Sequence, residues 1–450
     1  MMFANFEKAV GGTAEKLSNN KVLIAIRDGF LITTPLIIIA SIFLLLQQFP
    51  IPGYGDFIAQ FFGKGWEAHM DAVVDSTFSV LALLGVIGIG YSYARQLEAD
   101  AIAGAVVALV CFLIITPKTH PDFMNGDNAF AGFALKNFGA SGMFIAMITA
   151  IISVRLFVMI ARKGWVIKMP DGVPPAVAQS FAALIPSLFP MVLFFLVYIG
   201  FTFTPFKFAH NFIYTTLQTP LVGIGKSVFL EPITQFLSTF FWFFGINGPA
   251  VTNTVFGPIG TVLTLENLEA FKAHTELPNI FTNAFSNFFT NFGGGGSTLS
   301  LVFLMVFIAK SQRMKKLGKL AIVPGIFGIN EMIIFGLPVV LNPVIAIPFI
   351  VTPVFNTIIS TIATIVGIIP KTTGVGLPWT TPFFFSGWLS TGSLIAGFWQ
   401  ILLIFLDCLI YYPFFKALDK QYLKDELEPV AVVSDELDEI SLDDLSLDDL

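Results

Sequence analysis

Long apolar runs broken by short charged connections set the rhythm of this 450-residue chain. Val22–Leu46, Val73–Ala94, Ala101–Pro117, Gly142–Ala161 and Phe181–Phe203 each read as an apolar helix, at or near the roughly 20 residues that cross a bilayer. The second half adds Val228–Ile246, Leu299–Ala309, Val344–Ile369 and Gly392–Tyr412. Between these lie shorter apolar pieces interrupted by Gly, Pro and Asn: FGINGP (244–249), NFGGGGS (291–297), FGINE (327–331) and VGLPWTTP (375–382). The pattern predicts an all-α polytopic membrane protein of about ten transmembrane helices, with the interrupted pieces re-entering the bilayer. Non-helical backbone at membrane depth is tolerated where protein buries it or water lines it, and transporters place their substrate sites there. The chain divides near 203–226, where TPFKFAHNFIYTTLQTPLVGIGK reads as an amphipathic helix along the interface.

Composition agrees with a lipid solvent. Hydrophobic residues make up 55% of the chain and charged residues 12%, about half the charged share of a soluble domain. Mean hydropathy is +0.81. Fifteen Lys and Arg residues fall on the side of the N-terminus, among them Lys310, Arg313, Lys315, Lys316 and Lys319. Five fall opposite: Lys64, Lys118, Lys136, Lys272 and Lys371. The bias predicts that both termini are cytoplasmic. The net charge of −6 conceals a tail: residues 425–450 hold eleven acids and no base, and without them 19 acids face 24 bases. That tail reads as disordered, either solvated or docked on a basic soluble partner. The first twenty residues lack the apolar core of a cleavable signal.

The chemistry is concentrated in the second half. From Leu320 to Pro370 the only formal charge is Glu331. An acid at a helix centre costs about 2.5–3.5 kcal/mol on insertion scales and usually faces a cavity or partner. Glu331 is either a hairpin cap or a ligand-facing carboxylate. Asn247 either bonds backbone locally or offers a donor and an acceptor to a hydroxyl. The four glycines before Ser297 are either a tight turn or a place where a ligand approaches bare backbone. Trp379 and Trp388 are interfacial belt residues or an apolar platform for a sugar ring. Arg27 and Asp28 read as an interfacial ion pair, Glu231 as a residue near a span end, and Asp407 as an intramembrane acid without an assignable partner. Cys111 and Cys408 lie far apart in apolar spans, and no two of the four histidines have metal-ligand spacing. The sequence supports no metal site, P-loop or dinucleotide motif, and an intramembrane hydrolase lacks its base.

Seven segments in order, AIRDGFLITTPLIIIASIFLL, GASGMFIAMITAIIS, FWFFGINGP, GGGGSTLSL, INEMIIFGLPVVLNPVIAIPFI, LPWTTPFFFSGWLSTG and IYYPFFKALDKQ, resemble the lactose/cellobiose family of phosphotransferase-system permeases, the Enzyme IIC components. The resemblance spans about residues 6–424. It implies a homodimer in the bacterial cell membrane, with a scaffold and dimer bundle at 22–205, a linker at 206–226 and a mobile sugar-binding bundle with two re-entrant hairpins at 227–415. Residues 1–21 and the acidic stretch 416–450 are then cytoplasmic extensions. It further implies elevator-like carriage of a β-linked disaccharide of the cellobiose, diacetylchitobiose or lactose class. The sugar's 6-hydroxyl is phosphorylated by a phosphocysteine on a separate Enzyme IIB, itself charged through Enzyme IIA. No cofactor and no nucleic acid are implied. Glu331 matches the glutamate of the family's N-E-P-I-I-F-G motif, with Met332 in place of Pro, and is the expected catalytic and sugar-contacting residue. Trp379 matches the stacking tryptophan of P-W-T-T-P. Asn247 stands where the family has the histidine of G-I-H-G, and cannot titrate near neutrality as His does. Asn330, Gly295 and Ser297 complete the expected substrate contacts. Read from the residues alone, two alternatives stay open: an ion-gradient-driven secondary transporter with Glu331 as proton site, and a sugar-sensing degenerate permease.

Overall fold

The computed structural model describes residues 19–118, 124–125, 128–129, 132–170, 172–337, 339 and 342–427. The first part is a helical bundle. Asn20 caps α1 (Lys21–Gln47) by accepting from the Val22 and Leu23 N–H groups. The short α2 (Tyr54–Phe62) follows, then α3 (Glu67–Phe78), α4 (Leu81–Gln96), α5 (Ala101–Ile115), α6 (Met143–Arg162) and α7 (Pro175–Thr202). Helix α4 lies against α1, α5 and α6. Small residues make that approach possible: a Cβ at Gly88 would lie 2.4 Å from the Gly29 carbonyl oxygen. A two-residue antiparallel pair, β1 (Met124–Asn125) and β2 (Asn128–Ala129), sits in the α5–α6 connection. The linker is helical as expected, with α8 (Ala209–Ile213), a π-turn over Tyr214–Gln218 and α9 (Thr219–Gly225).

The second part comprises α10 (Leu230–Phe243), α11 (Gly248–Lys272), α12 (Asn283–Phe288), α13 (Leu299–Phe307), α14 (Gln312–Ile326), α15 (Glu331–Gly336), α16 (Pro343–Val366), α17 (Phe385–Thr391) and α18 (Leu394–Leu427). Among the described residues, six stretches are long and apolar enough to cross a membrane: α1, α3 with α4, α6 with its lead-in from Ala140, α7, α16 and α18. The other expected crossings are shorter or broken. At about 1.5 Å per residue neither α13 nor α14 spans a hydrocarbon core of about 30 Å alone, and the two pack together as a helical hairpin.

Three boundaries differ from expectation. The 25-residue α11 runs through sequence that reads as broken pieces. Its threonines return hydroxyls to backbone carbonyls four residues back, as Thr261 does to Gly257 and Thr264 to Gly260, so those hydroxyls are satisfied within the helix. Ser79 and Val80 divide Val73–Ala94 into two helices. Helix α18 continues to Leu427, so residues 416–427 of the expected disordered stretch are ordered helix. The remainder of the tail, 428–450, and residues 1–18 of the N-terminal segment lie outside the described residues.

The largest buried core belongs to the first bundle but also takes in Val262, Leu263, Leu265 and Leu268 of α11 and Phe285 and Phe288 of α12. A second core gathers α13–α16 and α18 around Phe349, Tyr411 and Phe415. Polar ties also join the parts: the Gly376 N–H donates to Ser41 Oγ at 2.8 Å, and Lys272 pairs with Asp75.

Candidate functional site

Both FGIN tetrapeptides fold alike. In the first, the Phe244 and Ile246 N–H groups both donate to the Phe241 carbonyl, and Gly245 takes φ 76°. In the second, Phe327 and Ile329 N–H both donate to Pro324, and Gly328 takes φ 84°. Each is a helix C-terminus closed by a left-handed glycine, with the end carbonyl taken up internally. Each then delivers an Asn to the start of the next helix.

The two asparagines are used differently. Asn247 is exposed and caps α11, its Oδ1 accepting from the Ala250 N–H at 3.0 Å. The local backbone role is therefore present, and Asn247 Nδ2 has no hydrogen bond among the described residues. Asn330 does not cap its helix. Its Nδ2 reaches across to the glycine run, donating to the Gly295 carbonyl at 2.8 Å and Thr298 Oγ1 at 3.1 Å.

That contact explains the glycines. Gly293, Gly294 and Gly296 have φ of 72°, 88° and 82°, a region that side chains oppose. A Cβ at Gly294 would lie 2.6 Å from the Asn330 side chain and 2.8 Å from the Gly328 carbonyl. One at Gly296 would fall 2.2 Å from the Phe349 ring. The run is thus a close-packed turn that lets the 328–330 tip settle on bare backbone.

Trp379 joins the same place. A Cβ at Gly328 would lie 3.5 Å from two of its ring carbons, and Trp379 is 61% exposed. Glu331, the first residue of α15, is exposed and makes no hydrogen bond or ion pair among the described residues. Trp242, which sequence reading passed over inside an aromatic run, approaches Gly295: a Cβ there would lie 3.4 Å from its Nε1. The structure therefore brings together Gly295, Asn330, Glu331, Trp379 and Trp242. Trp388 is elsewhere, edge-on to Phe49 at 6.0 Å.

Ser297 is also elsewhere. It is fully buried, with φ 56°. Its Oγ donates to Asp407 Oδ2 at 2.5 Å and accepts from the Phe292 N–H at 3.1 Å. Asn356 Nδ2 donates to the same Asp407 oxygen at 3.0 Å. Ser297, expected as a substrate contact, instead ties the loop to α18, and Asp407 gains the partners that sequence could not assign. The Tyr411 hydroxyl, one turn further on α18, donates to the Gly296 carbonyl. Glu231, expected close to a span end, lies in the first turn of α10 and is buried, at 8% exposure. Arg27 and Asp28 form the expected ion pair at 2.7 Å.

No group of three metal-ligating side chains occurs among the described residues. A cleft of about 490 Å³ lies between α1 and α4, lined by Lys21, Asp28, Tyr91 and Arg95 among others. It belongs to the first bundle and contains none of Gly295, Asn330, Glu331, Trp379 and Trp242.

Comparison with known proteins places the arrangement. The family model described as Phosphotransferase system, EIIC, matches residues 27–353. The lichenan permease IIC component of Bacillus subtilis (strain 168) is 39% identical over 425 residues, covering 93% of this chain and 94% of that protein. The cellobiose-specific EIIC component of Geobacillus stearothermophilus is 40% identical over 427 residues, covering 93% and 95%. The crystal structure of the transporter ChbC, the IIC component from the N,N'-diacetylchitobiose-specific phosphotransferase system, superposes with a TM-score of 0.90 at 40% identity, covering 93% of this chain and 98% of that one. With its polytopic helices and interrupted hairpin tips, the chain belongs to the EIIC family and is the membrane permease component of a sugar phosphotransferase system.

Proposed function

We propose that this permease carries a β-linked disaccharide of the cellobiose class and holds its 6-hydroxyl against Glu331 for phosphorylation by a phosphocysteine on Enzyme IIB. One observation carries the reading: the FGINE tip docks on the glycine run beside Trp379 and leaves the Glu331 carboxylate exposed, with no hydrogen bond among the described residues. An acid unused by its own fold, beside an open aromatic face, suits a sugar hydroxyl and a ring. Relatives named for lichenan, cellobiose and diacetylchitobiose share this β-linked substrate class.

Phosphoryl transfer depends chiefly on positioning and charge stabilisation. Glu331 accepts a hydrogen bond from the acceptor hydroxyl, aims its oxygen and draws off its proton as the P–O bond forms and the P–S bond of the phosphocysteine breaks, the cysteine leaving as its thiolate. Trp379 lies along the apolar face of the ring, and Gly295 exposes backbone to the sugar's polar edge. Asn247 adds a donor through its Nδ2, while its Oδ1 stays on the Ala250 N–H. It bonds a hydroxyl without taking a proton, which leaves Glu331 as the base. Ser297 supports the loop from behind.

On the scale of the molecule, the first bundle is the scaffold and dimer element, and the part after the linker moves the sugar in elevator fashion. Both termini face the cytoplasm, where Enzyme IIB, charged through Enzyme IIA, meets the site.

The test is cellobiose uptake into vesicles supplied with phosphoenolpyruvate and the soluble phosphotransferase proteins. Glu331→Gln is expected to stop accumulation of cellobiose phosphate while cellobiose binding weakens by no more than about tenfold. Normal phosphate accumulation by that variant overturns the role of Glu331. Proton-driven accumulation of free cellobiose without phosphoenolpyruvate overturns the coupling.

A further inference from the structure

Glu231 has no part in the chemistry above, yet a carboxylate at 8% exposure in the first turn of α10 calls for a physical reason. Its Oε1 accepts from Gln235 Nε2 at 2.7 Å, one turn along the same helix. Gln235 Oε1 accepts from Asn291 Nδ2 at 2.8 Å. Asn291 Oδ1 accepts from the Gly296 N–H at 3.1 Å. The Ser286 hydroxyl faces the same carboxylate.

The direction of this file is fixed from the Gly296 end. A backbone N–H only donates, so Asn291 must turn its oxygen to Gly296 and its nitrogen to Gln235. That nitrogen only donates, so Gln235 must turn its oxygen to Asn291 and its nitrogen to Glu231. Neither amide can flip without facing like against like. The Gly296 N–H belongs to the same peptide group as the Gly295 carbonyl, which receives Asn330 Nδ2 at 2.8 Å. One Gly–Gly peptide is thus gripped by its nitrogen through Glu231 and by its oxygen through the neighbour of Glu331. A peptide flanked by glycines rotates readily when unheld.

We propose that Glu231 is a positioning residue for the sugar site: through Gln235 and Asn291 it sets the orientation of the 295–296 peptide, and with it the seat of Asn330 and Glu331. This rests on the assignment of Gly295, Asn330 and Glu331 to the sugar.

The relay is tested by moving its terminal acceptor. Asn291→Asp can still accept from Gly296 but cannot donate to Gln235, so Gln235 faces an acceptor on each side. Adding Glu231→Gln supplies the missing donor and lets the file run in reverse, satisfied throughout. Two readouts are taken on the purified full-length permease: hydrogen–deuterium exchange of the 291–298 segment without sugar, and equilibrium binding of radiolabelled cellobiose. Asn291→Asp is expected to speed exchange and weaken binding by about tenfold each. Glu231→Gln alone, which keeps an acceptor, is expected to change both by less than about threefold. The double variant is expected to return close to the parent.

Unchanged exchange in Asn291→Asp overturns the relay. So does a double variant worse than either single one, which is what independent structural damage predicts. If exchange follows the relay but the parent protein fails to bind cellobiose, the substrate reading falls and the relay stands.

Discussion

The glycine run at 293–296 separates conformational need from steric need, residue by residue. Gly294 requires both a left-handed backbone and empty space beside Asn330. Gly295 requires neither strictly: it has no positive φ, and a Cβ there would meet Trp242 at 3.4 Å, an ordinary contact distance. Gly294→Ala is therefore expected to lower thermal stability, by about 1–2 kcal/mol from the backbone alone, and to abolish cellobiose binding. Gly295→Ala is expected to keep the melting temperature and weaken binding, since its methyl group would narrow the gap to Trp242. Equal stability loss in both would contradict this division. Glu331 and the glycines were legible in the sequence because each is chemically out of place in apolar surroundings. The roles of Ser297 and Asp407 were not, because their contact joins positions 110 residues apart. Glu231 was placed near its helix end, but its burial and its contact with Ser286 of α12 were not legible, for the same reason.

Between elements, the join of α18 to α14 is the clearest case of sequence-distant capping. Asp419 accepts from the Lys310 and Ser311 N–H groups at 2.9 Å each, and Glu426 accepts from Gln312 and Arg313 at 3.0 and 2.8 Å. Carboxylates on α18 thus satisfy N–H groups leading into α14 that its own residues leave unpaired. Ser311 caps the same helix locally through Met314. Asp419→Ala is expected to destabilise the protein by about 1 kcal/mol, read as a lower melting temperature with cellobiose binding retained. These contacts also explain why α18 stays helical past the point where its sequence turns acidic. Long helices with unbroken hydropathy, such as α1, α6 and α7, were legible to within a few residues at most ends. Helix α11 was not, because its glycines, asparagines and threonines dilute the apolar signal, while its threonine hydroxyls bond backbone within the helix and Asn267 bonds carbonyls outside it.

For the whole molecule, the way the parts on either side of the linker share a core was not visible in the sequence. Helix α11 begins at the first FGIN tip, and its later turns pack into the first bundle, a contact that no local pattern announces. Orientation remains a matter of charge, and it is checked by labelling from either side. Lys316→Cys is expected to react with a membrane-impermeant maleimide only in inside-out vesicles, and Lys64→Cys only in right-side-out ones. Both residues are exposed, and of the native thiols Cys111 is buried and Cys408 partly so. Labelling of both from the same face would refute the assignment of sides. The paired FGIN caps bear on any movement between those faces. A helix end whose last carbonyls are open must keep water or a partner beside it, and its energy climbs steeply as it sinks into hydrocarbon. Here Phe241 and Pro324 already receive two amide protons each from their own tips. Such ends can change depth without dehydrating those groups, so the proposed travel of these tips across the bilayer would be relieved of one of its steepest electrostatic barriers.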